Sequence, residues 1–181
     1  TAAEYFNVPF FSLDLGAGRR EDEREGIRVE YMVQQMNEAA EWLEKITGKE
    51  YSDERLIKSF EIEWEAARTW AEIWTLNKAI PAPLDLKSIY SLFVITIQAR
   101  NRQETLDFNR MLRDEVKDRV EKGIAALATE RCRLITDTPP PFYFLNLYNH
   151  AAKYGAVFVG SEYTFFLAAA WRFLEDGSWG P

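Results

Sequence analysis

The sequence predicts an α/β fold in which a layer of about four helices is followed by the opening of a parallel-sheet domain. Two observations carry this. From Ile27 to Lys122 apolar residues recur at three- and four-residue steps, broken only by short links. Then Cys132 to Thr164 (CRLITDTPPPFYFLNLYNHAAKYGAVFVGSEYT) reads as an apolar run, a proline-stiffened polar turn, an amphipathic helix and a second apolar run. That is one strand–helix–strand unit. A parallel pair needs both faces covered, so the unit is expected to be part of something larger.

The elements follow in order. Thr1–Phe6 reads as the tail of a helix, and Val8–Leu13 (VPFFSL) as a buried strand whose sheet is expected upstream. Gly16–Gly26 (GAGRREDEREG) is charged and glycine-flanked, a solvated loop. Ile27, Tyr31, Val33, Met36, Ala40, Leu43 and Ile46 form a helical stripe that stops at Gly48. Ser52 is a candidate N-cap for a second helix, through Leu56, Phe60, Trp64, Ala67, Trp70, Ala71 and Trp74. Pro81-Ala82-Pro83 stiffens the next link, Asp85 caps a third helix from Leu86 to about Ala99, and a fourth runs from Gln103 to a stop at Gly123. Beyond it come a strand at Arg131–Thr136, a helix at Phe142–Tyr154 started by Pro139-Pro140-Pro141 and closed by Gly155, a strand at Ala156–Gly160, and a helix at Phe165–Leu174.

Composition narrows the function. At 181 residues, 47% hydrophobic and 14% aromatic with six Trp, the chain can bury a real core. A net charge of −7 without a Lys/Arg block disfavours nucleic-acid binding. No apolar run is long enough to span a membrane. No signal peptide is visible, and the single Cys132 points to a reducing, cytoplasmic setting. The start at Thr1 and the turn-like Asp176–Pro181 are not expected to be finished termini.

Several chemistries lack their residues. There is no CxxC, no HxxxH or ExxH pair, no GxSxG elbow and no P-loop. His150, the only imidazole, falls on the Phe142–Tyr154 helix and reads as a structural or surface residue. Cys132 falls in a strand read as buried and is taken as a small core residue. The helix carboxylates, such as Glu61, Glu65, Asp114 and Asp118, alternate with Arg and Lys as on a solvated, ion-paired face. Trp70 and Trp74, one turn apart, should share a core face. What remains is positional. Ligands of open α/β sheets sit outside the carboxyl ends of the strands, here Thr136-Asp137-Thr138-Pro139 and Gly160-Ser161-Glu162-Tyr163-Thr164. Polar turns with capping hydroxyls are the ordinary reading of the same residues.

Those segments, with NKAIPAPLDLKSIYSLFV (Asn77–Val94) and RDEVKDRVEKGIAAL (Arg113–Leu127), resemble one family. It is that of the 2-hydroxyacyl-CoA dehydratase and ATP-dependent benzoyl-CoA reductase subunits. NVPFF, EWLEKITGKEY and WRFLEDGSWG add to the resemblance, which runs through the whole chain in order. The PAPLD link and the aromatic loop after the second strand lean toward the reductase branch, hence toward dearomatising reduction of benzoyl-CoA or a similar aryl-CoA. Dehydration of a 2-hydroxyacyl-CoA is the alternative, and a non-catalytic scaffold or maturation protein of the same fold is a second one.

The resemblance implies a subunit of two Rossmann-like domains joined by helices. Residues 1–15 would end the first domain, 16–123 form the helical region, and 124–181 open the second, making this chain an internal piece of about half a subunit. It also implies a [4Fe–4S] cluster held by cysteines outside this chain, a separate ATP-hydrolysing iron–sulfur activator, a related second subunit, and an acyl-CoA substrate bound beside the cluster. On this resemblance Asp137, Pro139, Ser161, Tyr163 and Thr164 would face the cluster and acyl-CoA cleft of the full subunit. The exposed helical layer with its Trp residues would offer apolar surface to the second subunit.

Overall fold

The computed structural model describes residues 2–14, 25–137, 139–168, 172–173 and 179–180. Helix α1 spans Ala2–Phe6, α2 Glu25–Thr47, α3 Asp53–Leu76, α4 Leu86–Gln98 and α5 Gln103–Lys122. Strand β1 spans Cys132–Thr136, α6 Asn146–Ala152, β2 Ala156–Ser161 and α7 Glu162–Ala168. Two short strands, β3 (Arg172–Phe173) and β4 (Trp179–Gly180), pair antiparallel. The chain divides into two units, Thr1–Glu54 and Arg55–Pro181.

In the first unit Val8–Leu13 does not form the expected strand; it runs as irregular chain with Val8 and Phe10 exposed. A strand persists only where another strand meets its backbone groups, and none lies beside this segment among the described residues. The Gln35 amide does part of that work. The Asp14 N–H donates to Gln35 Oε1 at 2.7 Å, and Gln35 Nε2 donates to the Asp14 carbonyl at 2.7 Å. Phe11 packs on Trp42 with ring centroids 5.6 Å apart. The loop read at Gly16–Gly26 lies outside the described residues up to position 24; α2 begins at Glu25, so Gly26 is helical. Helix α2 carries the expected stripe, yet Tyr31, Val33, Met36, Leu43 and Ile46 are exposed. It stops at Gly48, which takes the left-handed φ of 66° that glycine tolerates.

The second unit holds the core. The carboxyl half of α3 buries Trp70, Ile73 and Trp74 against Tyr90 and Phe93 of α4 and Val116 of α5. Trp70 and Trp74 do share a face, whereas Trp64, nearer the start of α3, is exposed. Both buried indole N–H groups lack an acceptor among the described residues, so these two side chains stabilise through area and dispersion. Asn109, fully buried on α5, ties three helices: it accepts from Thr96 Oγ1 at 2.9 Å and donates to the Ala66 carbonyl at 3.0 Å. Asp85 caps α4 as expected, accepting from the Ser88 N–H at 3.0 Å, and Gly123 ends α5 at φ 65°. The outer faces are laced by ion pairs such as Arg113–Glu72 at 3.3 Å and Lys122–Asp118 at 2.7 Å.

The strand–helix–strand unit is present. β1 and β2 pair parallel, from Cys132 opposite Ala156 to Thr136 opposite Ser161, with the register shifting between Leu134 and Ile135. The helix between them is shorter than expected: a 3-10 turn at Phe142–Phe144 precedes α6. Gly155 closes this segment at φ 79°, where an added Cβ would stand 2.8 Å from Arg131 Cγ. Two expectations fail here. β1 is not buried: Cys132 is exposed and Ile135 is 76% exposed, because β1 pairs with β2 on one edge and no other strand joins it among the described residues. The helix expected at Phe165–Leu174 starts three residues earlier, at Glu162, directly after β2, and Arg172–Phe173 is strand.

Candidate functional site

The carboxyl half of β2 opens onto a cleft of about 660 Å³. The end of α3 contributes Trp74, the turn after it Asn77 and Lys78, and β1 contributes Arg133 and Ile135. The other side is Val159, Gly160 and Ser161 of β2 with Glu162, Phe165 and Phe166 of α7. Gly160 faces Ile135 across the pair, and a Cβ there would meet Ile135 Cγ1 at 3.4 Å, an ordinary packing contact.

The polar groups in these walls are engaged within the protein. Asn77, 1% exposed, donates through Nδ2 to the Val159 carbonyl at 2.9 Å and accepts the Leu84 N–H at 3.0 Å. Arg133 reaches over the turn that follows α3 and donates to the carbonyls of Ala79 at 3.0 Å, Asn77 at 3.2 Å and Lys78 at 3.2 Å. Its other partner is Glu130, whose second carboxylate oxygen accepts the Ala82 N–H at 2.8 Å. A charge taken from water needs this kind of pairing and hydrogen-bond saturation. Arg133, Glu130 and Asn77 thus fasten the 77–84 link to the sheet.

Behind β2 lies a buried knot of hydroxyls. Ser161 Oγ accepts from Tyr90 OH at 2.9 Å and from the Thr164 N–H at 3.5 Å, and Thr164 Oγ1 donates to the Ser161 carbonyl at 3.3 Å. Burial pushes the Tyr90 phenol well above its ordinary value; the Ser161 hydrogen bond opposes that shift and the Tyr148 hydroxyl adds to it. Tyr90 therefore holds its proton throughout the neutral range.

The five residues singled out from sequence take different places. Ser161 lines the cleft and caps α7. Thr164 is fully buried as its capping partner, and Tyr163 packs edge-on against Phe93 at 5.9 Å. Asp137 and Pro139 are exposed on the loop after β1, next to Ser161 through the Thr136–Ser161 pairing, but they do not line the cleft. Sequence reasoning missed Asn77, Tyr90, Glu130 and Arg133. One signal was available: an Arg inside an apolar strand, three residues after a Glu, marks a charge pair held against the core.

The [4Fe–4S] cluster that the resemblance implies does not fit these residues. Such clusters are held by several thiolates. Cys132 is the chain's only cysteine, and among the described residues no three His, Cys, Asp or Glu side chains come together as a metal site. Nor is any helix among them long and apolar enough to cross a membrane.

Comparison with known proteins agrees with the resemblance. The chain is 26% identical over 121 residues to the (R)-phenyllactyl-CoA dehydratase alpha subunit of Clostridium sporogenes, covering 67% of this chain and 30% of that protein. It is 24% identical over 160 residues to the (R)-2-hydroxyisocaproyl-CoA dehydratase alpha subunit of Clostridioides difficile, covering 87% and 39%. With the (R)-2-hydroxyglutaryl-CoA dehydratase subunit alpha of Acidaminococcus fermentans the figures are 22% over 121 residues, 67% and 25%. The chain thus spans well under half the length of these curated relatives. All three are dehydratase subunits, which favours the dehydratase alternative over the reductase reading. The family model for "2-hydroxyglutaryl-CoA dehydratase, D-component" matches residues 1–179, and the chain belongs to that family.

Proposed function

We propose that the protein containing this chain is an alpha-type subunit of a 2-hydroxyacyl-CoA dehydratase, and that the cleft beside β2 receives part of the acyl group. The observation that carries the geometric half of this reading is an apolar cleft at the carboxyl end of a parallel strand, where open α/β sheets bind ligands. The reaction removes the C2 hydroxyl and a C3 hydrogen as water and leaves a 2-enoyl thioester. In it these residues bind and orient the acyl group and keep solvent off it. The [4Fe–4S] cluster, the ATP-hydrolysing activator and the second subunit belong to the proposal as contributions from outside this chain.

The reductase reading leaned on the PAPLD link, residues 81–85, and on the aromatic loop after the second strand. Ala82 there accepts from the Ala126 N–H at 2.8 Å and donates to Glu130, and Ala82 and Pro83 are buried, so packing accounts for the motif without reference to substrate.

The test uses the full-length protein, purified without oxygen with its second subunit and activator, and offered an (R)-2-hydroxyacyl-CoA or benzoyl-CoA. Formation of the enoyl-CoA is expected. Ring reduction of benzoyl-CoA without dehydration would overturn the assignment, and a protein lacking iron, sulfide and turnover would be the scaffold.

A further inference from the structure

We propose that Arg100 is a positioning residue for the cleft: by bridging α3 and the end of α7 it sets the gap between the two helices that the acyl group enters. This rests on the acyl-binding reading above and deepens it, naming what holds that site at its width.

The cleft has Trp74 of α3 in one wall and Phe165 and Phe166 of α7 in the other. Two polar ties hold these walls. Just past the end of α3, Asn77 Nδ2 donates to the carbonyl of Val159, in the strand that leads into α7. At the other end of α7, Arg100 Nη1 donates to Glu63 Oε1 of α3 at 3.2 Å, and Nη2 donates to the Leu167 carbonyl at 3.1 Å. Roughly 20 Å of helix separates Glu63 from the end of α3, so each tie governs its own end of the gap. The carbonyls of a last helical turn have no partner within the helix, and α7 is only seven residues long. Its start is fixed by the buried Ser161–Thr164 cap, whereas near its end Phe166 is 69% exposed, Leu167 is exposed and only the small Ala168 is buried. Arg100 itself is well placed by its neighbours. Asn101 Nδ2 donates to Ser59 Oγ of α3 at 3.0 Å, and the Ala99 carbonyl accepts from Thr105 Oγ1 at 2.7 Å. A planar guanidinium serves a carboxylate and a carbonyl at once in fixed directions. Arg100 and Glu63 are both partly exposed, so their pairing adds little to folding stability and acts on where α7 stands.

The closing experiment measures binding of free CoA and of an unreactive saturated thioester, hexanoyl-CoA, to the full-length protein with its second subunit, by calorimetry. Free CoA has no acyl group to place in the cleft. Arg100→Ala should weaken hexanoyl-CoA about fivefold, the scale of one lost hydrogen bond, and leave free CoA unmoved. Arg100→Lys, with a compact ammonium in place of the fork, should recover part of the loss. Phe166→Ala, at an exposed position, should weaken hexanoyl-CoA by itself, and adding Arg100→Ala to it should cost little more, because Arg100 acts through that wall. Equal weakening of CoA and thioester, weakening of neither, or full additivity with Phe166→Ala overturns the inference. Should Arg100→Ala fail to fold, Arg100→Gln carries the same comparisons. If the wild type binds hexanoyl-CoA no more tightly than free CoA, the acyl-binding reading falls and takes the inference with it. A thioester preference that the Arg100 variants leave untouched sinks the inference alone.

Discussion

Replacing Arg133 by Met would leave three carbonyls and the Glu130 carboxylate without their donor. Removing one partner of a largely buried pair costs about 3–5 kcal/mol. Urea denaturation should show that loss for Arg133→Met, and Arg133→Met with Glu130→Gln should recover a measurable part of it. Additive losses in the double variant would mean that the two side chains act independently. Tyr90 makes a different forecast. Its pKa is raised above the ordinary 10.0, so the folded state holds the proton more tightly than the unfolded state does. That contribution is complete below about pH 10 and is lost as pH climbs through the folded value. Tyr90→Phe should therefore cost about 1 kcal/mol at pH 7, the scale of one hydrogen bond, and its stability should fall less steeply than the wild type's above about pH 10. Parallel stability curves would contradict this. Neither residue stood out in the sequence. Arg133 meets carbonyls 54 to 56 positions away and Tyr90 meets a hydroxyl 71 positions away, distances over which local pattern carries no information.

Elements were more legible, because caps and periodicity are local. Asp85, Gly48, Gly123 and Gly155 stop or start segments where their chemistry says they should. Gly155 has the most to lose from a side chain, with both a left-handed φ and the Arg131 stem at 2.8 Å from the added Cβ. Gly155→Ala should cost about 1–2 kcal/mol; thermal denaturation beside Gly26→Ala, at a helical glycine with open space around it, provides the contrast. The helix after β2 begins at Glu162 and not at Phe165 because the reciprocal bonds of Ser161 and Thr164 cap it there. Val8–Leu13 was read as strand on apolarity alone, and apolarity does not supply a neighbouring backbone.

For the molecule as a whole, family was legible and branch was not. The motifs that carry the family resemblance follow one another through the chain, and the family match covers 1–179. The cleft, in contrast, is assembled from residues 74–78, 133–135 and 159–166, three stretches that become neighbours only after folding. The engagement of Arg133 has a consequence at this scale. A 24-residue helix such as α3 ends in a pole of negative partial charge, and the turn beyond it forms one wall of the cleft. The Arg133 guanidinium sits over the carbonyls of that turn and is matched by the Glu130 carboxylate, so the two side chains neutralise each other. The wall built from a helix end, a cation and an anion therefore carries no full charge, only the partial negative pole of the helix.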